Sequence, residues 1–168
     1  MPLEGPRPQL TQVAAADAAL VAAARRLFEE YEESLDVDLG FQGFDEELAS
    51  LPGNYAGPRG RLLIASVDGE AVGCGALREL DSRTAELKRL YVRPSARGAG
   101  IARLLAERLL AEARQLGYLR IRLDTLPAML AAQRLYISLG FRDIAPYTAN
   151  PVEGSRFLEL TLEVAHTA

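Results

Sequence analysis

Apolar residues recur at helical spacing from Asp17 to about Ser34 (Leu20, Val21, Ala24, Leu27, Phe28, Tyr31), predicting an amphipathic helix. Gly40–Gly43 breaks it, and Asp45–Leu51 predicts a second, short helix stopped by Pro52-Gly53. Gln9–Val13 predicts a first strand. Arg61–Val67 and Ala71–Leu80 flank Asp68-Gly69, a favoured type I′ turn, and predict a hairpin. Glu86–Val92 and Leu119–Asp124 read as further strands, separated by a helical pattern over Gly100–Leu116 that Gly117 closes. Ala128–Leu139 reads as a helix closed by Gly140, and Phe141–Tyr147 and Arg156–Val164 supply the last two strands.

Helices between strands, with parallel neighbours mid-chain and hairpins at both ends, give a mixed α/β (α+β) three-layer fold. The 168 residues suffice for one domain, assigned to 9–168 after a loose segment at 1–8. Hydrophobic residues at 49% and charged residues at 25% are those of an ordinary globule. A net charge of −4 without a basic block argues against a nucleic-acid partner. No apolar run predicts a membrane span, and Met1–Leu10 is too proline-rich and polar for a signal peptide. The lone Cys74 excludes an internal disulfide and points to the cytoplasm. With His166 as the one histidine, neither a zinc site nor a His-based nucleophile system is expected. The bases are lopsided, as a coding bias toward arginine would make them: of 19, only Lys88 is a lysine. On a strand it shares a face with Glu86, which makes it a pocket candidate.

Chemistry concentrates after the Glu86–Val92 strand, in Arg93-Pro94-Ser95-Ala96-Arg97-Gly98-Ala99-Gly100-Ile101-Ala102. A helix N-terminus offers unpaired N–H groups and partial positive charge to an anion. Gly98 and Gly100 have no side chain to hold a phosphate off, and Arg97 and Arg103 flank the loop. The loop alone also fits a plain turn. A Rossmann loop is a second competitor, with Asp124 placed as a ribose acid, although Arg103 replaces its third glycine. A P-loop fails, since no Gly-Lys-Ser/Thr follows.

With Ala131-Ala132-Gln133-Arg134-Leu135-Tyr136-Ile137-Ser138-Leu139-Gly140-Phe141 added, the ordered set across residues 84–142 resembles the GCN5-related N-acetyltransferase (GNAT) family. The resemblance implies a central, twisted, mixed seven-stranded sheet that splays between its fourth and fifth strands. It implies acetyl-CoA as cosubstrate and no metal. Leu90, Tyr91 and Val92 would take the pantetheine arm, and the Arg97–Arg103 loop the pyrophosphate. Met129 and Ala132 would line the cofactor. Met129 stands where many members carry an Asn, and Asp124-Thr125 is expected to compensate by capping the following helix.

The implied reaction is acyl transfer to a primary amine, by direct attack in a ternary complex. The ammonium must lose a proton, for which Glu86 is the candidate base, directly or through water. An oxyanion donor is expected from a backbone N–H near Tyr91-Val92. Tyr136, aligned with the family's tyrosine, would protonate the leaving thiolate. The acceptor is expected to be a small molecule, bound by Tyr31, Phe41, Gln42, Phe44, Tyr55, Arg78, Lys88, Tyr147 and Asn150. Arg78 and Lys88 hint at a carboxylate or phosphate on it. The chain is expected to be a monomer or homodimer. A catalytically silent acyl-CoA-binding module is the alternative function.

Overall fold

The structure, a computed structural model, describes residues 7–163. Most of the 1–8 segment, the tail with His166, and the Val164 end of the last expected strand lie outside the described residues. The strands are β1 (Gln9–Gln12), β2 (Arg61–Val67), β3 (Glu70–Asp81), β4 (Thr84–Val92), β5 (Arg120–Thr125), β6 (Arg142–Asp143) and β7 (Arg156–Thr161). The helices are α1 (Ala18–Ser34), α2 (Phe44–Ser50), α3 (Ile101–Gln115) and α4 (Leu130–Ser138). The Asp17 carboxylate starts α1 by accepting from the Leu20 N–H at 3.2 Å. In the β2–β3 turn Asp68 and Gly69 both have positive φ, as type I′ requires.

One mixed sheet runs in the order β1-β2-β3-β4-β5-β7-β6, and only β4 and β5 are parallel neighbours. That order rules out the doubly wound parallel sheet of a Rossmann domain. On one face Leu27, Phe28 and Phe44 of α1 and α2 pack on Leu62, Ile64 and Cys74. On the other, Leu105 and Leu109 of α3 and Tyr136 of α4 pack on Leu63, Leu87 and Ile121. The central strands, covered on both faces, therefore read as near-continuous apolar runs. Among the described residues, no helix is long and apolar enough to cross a membrane.

Two irregularities of β4 position the site. β4 pairs with β5 only over Thr84–Glu86 against Arg120–Arg122, and beyond that the two strands part. A bulge follows, where the register with β3 shifts between Cys74 and Ala76 and Arg89 adopts φ +59°. Gly75 lies opposite, and a Cβ there would meet Leu90 Cδ1 at 3.3 Å and Leu109 Cδ1 at 3.0 Å. The bulge breaks the two-residue alternation. Leu87, Leu90 and Val92 all join the α3 core, while Lys88 and Arg89 both turn to Gln42 on the opposite face.

Two local expectations are corrected. The Phe141–Tyr147 strand shrinks to Arg142–Asp143, with one further bond from the Ile144 N–H to the Phe157 carbonyl at 2.8 Å. Pro146 has no N–H for the ladder, and the chain leaves the sheet with Tyr147 turned inward. Asp124 and Thr125 do not cap α4. Its N-cap is Met129, without a side-chain bond. The Asp124 carboxylate instead accepts from Asn150 Nδ2 at 3.0 Å, and Thr125 Oγ1 turns to Met129 Sδ at 3.9 Å.

Candidate active site

The parting of β4 and β5 opens a cavity of about 550 Å³, walled by the unpaired end of β4, the glycine loop and the start of α4. Of the residues the sequence singles out for the cofactor, Leu90, Tyr91, Val92, Arg97, Gly98, Gly100, Ile101, Ala102, Arg103, Met129 and Ala132 line it, whereas Ala99 does not. Leu126, Leu130 and Leu135 also line it. They carried no signal, because an apolar wall residue reads as ordinary core. Gly98 and Gly100 have φ +88° and +79°, with nothing within 4 Å of a Cβ at either position. Gly100 caps α3 without a side-chain bond, and the first turn of α3 has no acidic residue. The mouth of the cavity is thus a helix N-terminus with open space before it, which suits an anion.

The flanking arginines are engaged within the protein. Arg97 Nε donates to the Val92 carbonyl at 2.9 Å, and its guanidinium lies 5.9 Å from the Tyr91 ring centre. Arg103 reaches Ser138 Oγ at 2.7 Å and so ties α3 to α4.

A narrow inner cavity of about 20 Å³ continues from the large one, sharing Tyr31, Leu35, Leu90, Leu126 and Met129 with it. Its polar groups are Tyr31, Gln42, Lys88, Arg89, Asp124, Tyr136 and Asn150. Tyr136 is 4% exposed, and its ring lies 5.7 Å from that of Phe141. Burial, reinforced by Tyr31 and Asp124, pushes its phenol well above the ordinary value, so it keeps its proton. Burial likewise pushes Tyr31 up to about 12 against the pull of Arg89.

Glu86 is 1% exposed, where β4 and β5 part. Its Oε1 accepts from Arg78 Nε at 2.7 Å and its Oε2 from the Tyr147 hydroxyl at 2.6 Å. Both oxygens are therefore occupied, and the loop before β7 supplies one of the partners. Arg89, 3% exposed, was not singled out in the sequence, where it reads as one arginine among many. Its Nε and Nη2 grip Glu47 at 2.8 and 3.1 Å, its Nη1 donates to Gln42 Oε1 at 2.7 Å, and it sits 5.2 Å from the Phe44 ring centre.

The acceptor candidates divide. Gln42 borders both the inner cavity and a third, polar one of about 160 Å³ that Arg78, Tyr55 and Glu47 also line. Tyr31, Lys88 and Asn150 line the inner cavity, and Tyr147 stands behind Glu86. Phe44 is core at 1% exposure, and Phe41 is surface-exposed and lines none of the three cavities. Three carboxylates (Glu47, Glu86, Asp124) thus face three bases (Arg78, Lys88, Arg89) at the head of the gap.

Comparison with known proteins points to one family. Residues 21–141 match the acetyltransferase (GNAT) family. The chain is similar to an uncharacterized N-acetyltransferase of Schizosaccharomyces pombe, 38% identical over 140 residues that cover 82% of this chain and 86% of the relative. Its fold is similar to a crystal structure of an acetyltransferase from Streptococcus agalactiae (TM-score 0.77, 24% identity, 92% of this chain and 98% of that one). It is also similar to a GNAT family acetyltransferase from Elizabethkingia anophelis with acetyl-CoA bound (TM-score 0.64, 20% identity, 92% and 98% covered).

Proposed function

This chain belongs to the acetyltransferase (GNAT) family, and we propose that it moves an acetyl group from acetyl-CoA to a primary amine bound beside Gln42, Lys88 and Arg78. The observation that carries this reading is the free edge of β4 beyond Glu86, facing a cavity that runs from an open helix N-terminus to a buried tyrosine. The Arg97–Arg103 loop holds the pyrophosphate on the first N–H groups of α3. The edge of β4 at Leu90 and Val92, which β5 does not pair, takes the pantetheine arm as an added strand. Arg97 swings off the Val92 carbonyl to allow this. Bound acetyl-CoA supplies an activated acyl carbon and a thiol leaving group at the inner cavity.

The remaining work falls to this chain's side chains. Transfer forms one carbon–nitrogen bond and breaks one carbon–sulfur bond, so the departing sulfur needs a proton and the amine must lose one. Tyr136 delivers the first from its hydroxyl, which burial keeps protonated. Glu86 serves the second, and the engagement of both its oxygens makes its access to the amine indirect. The acceptor enters from the side of the third cavity, past Gln42.

Gly100→Glu tests the cofactor assignment. A carboxylate in the open space before α3 is expected to abolish CoA binding in isothermal titration with the far-UV spectrum unchanged. Gly100→Ala, with the same backbone strain and no charge, is expected to retain more affinity. Wild-type affinity in the Glu variant refutes the assignment.

A further inference from the structure

We infer that Lys88 is a catalytic residue of this site: its Nζ takes the proton from the acceptor's ammonium, and Glu86 acts through it. This rests on the acetyl-transfer reading above. The Lys88 side chain is 8% exposed, yet among the described residues its Nζ makes one hydrogen bond, to Gln42 Oε1 at 3.1 Å. An ammonium has three donors and, when buried, ordinarily satisfies them. Glu86 Oε1 at 3.8 Å and Asp124 Oδ1 at 4.0 Å are near enough to hold a charge and too far to bond it. Two positions on this nitrogen are therefore open, in the inner cavity where the large cavity ends.

The sequence adds an independent argument. Eighteen of the chain's nineteen bases are arginine, including both neighbours of this one, Arg78 and Arg89. A lone lysine at the head of the gap supplies what a guanidinium does not, a nitrogen that gives up and takes back a proton. Burial pushes its pKa below the ordinary value; Glu86 and Asp124 pull upward, Arg89 and Arg78 downward. Tyr31 and Tyr136 face the same cavity and are held protonated by burial, and Glu47 is spent on Arg89.

In the step itself, an N–H bond of the acceptor ammonium breaks and an N–H bond forms on neutral Lys88. The acceptor nitrogen is left with the lone pair it needs, and the new lysine ammonium sits between Glu86 and Asp124 until it releases the proton to water.

A single lysine makes the test direct. Protein labelled with [ε-13C]lysine gives one side-chain resonance, and its pH titration reads Lys88 alone without any acceptor. A midpoint below the ordinary lysine value of about 10.4 is expected, coinciding with the rising limb of kcat/KM against pH. A midpoint at or above that value overturns the proposal. Thiol release is then followed with acetyl-CoA and a pool of the common amino acids, ethanolamine and spermidine. Lys88→Arg is expected to lose about 10²–10⁴ in rate, the usual range for general acid–base help, with acetyl-CoA affinity unchanged. An Arg variant that keeps the wild-type rate and pH profile also overturns it. Failure of the wild type to release thiol counts against acetyl transfer to these amines, and the resonance still decides Lys88.

Discussion

Replacing Arg89 by Met asks how much the bulge depends on its ion pair. The guanidinium is 2% exposed at the side chain and its partner Glu47 17% exposed, with two bonds of 2.8 and 3.1 Å between them. Its Nη1 also holds Gln42. Removing one partner of a buried pair leaves an uncompensated charge and costs about 3–5 kcal/mol. Here that charge is Glu47, which also accepts from the Tyr55 hydroxyl at 2.6 Å and would keep only this bond. Met carries the same Cβ as Arg, so the strain of φ +59° stays in the variant and offsets none of this cost. In a domain of this size, 3–5 kcal/mol lowers Tm by about 6–20 °C. Urea denaturation of Arg89→Met, Glu47→Gln and the double variant gives the coupling. The double variant is expected to be more stable than Arg89→Met alone, because Gln leaves no orphaned charge and still bonds Tyr55. A loss below about 1 kcal/mol in Arg89→Met, the level of an exposed pair, refutes the reasoning, as does strict additivity of the two substitutions.

Tyr136→Phe keeps the ring against Phe141 and is expected to lower kcat by about 10²–10⁴, with partial rescue by a donor whose leaving thiol is more acidic. Equal impairment with both donors would leave Tyr136 a positioning role only. Glu112 tests acid sensitivity away from the site. Burial raises its pKa, but bonds from Arg108 and Arg61 outweigh this and hold it below the usual carboxylate range. A depressed folded value means stability that is complete above about pH 4.3 and is lost as pH falls through the folded value. Glu112→Gln is therefore expected to lower Tm at pH 7 and to flatten the fall of Tm below pH 4; an unchanged slope there refutes the assignment.

The fold was legible where local chemistry and tertiary demand agree. Asp17 caps, Asp68-Gly69 turns, and Gly117 and Gly140 end their helices at φ +86° and +101°, each a property of the residue itself. The strand expected over Phe141–Tyr147 failed because its apolar pattern has two uses. Phe141 is core, while Ile144 to Tyr147 belongs to a loop whose tyrosine is needed at Glu86. The β4 bulge was illegible for a related reason. Period-two reading sets Glu86, Lys88, Leu90 and Val92 on one face, and only the packing of Leu90 over Gly75 reveals the slip.

That slip is what joins fold to chemistry. Without it, Arg89 would follow Leu87 toward the apolar α3 core, away from Glu47. With it, two consecutive bases face α1 and α2. Arg89 closes on Glu47, and Gln42, held by Arg89 at 2.7 Å, takes a hydrogen bond from Lys88 at 3.1 Å. The fixed charge thus props the amide that orients the titratable one. The same strand, one residue further on, turns Leu90 to the cavity with its pairing to β5 already ended. The free backbone edge begins upstream of the extra residue, at Glu86, whereas the prop under Gln42 is the extra residue itself, so a deletion of Arg89 that restored regular alternation in β4 would be expected to loosen Lys88 and to leave the cavity edge in place.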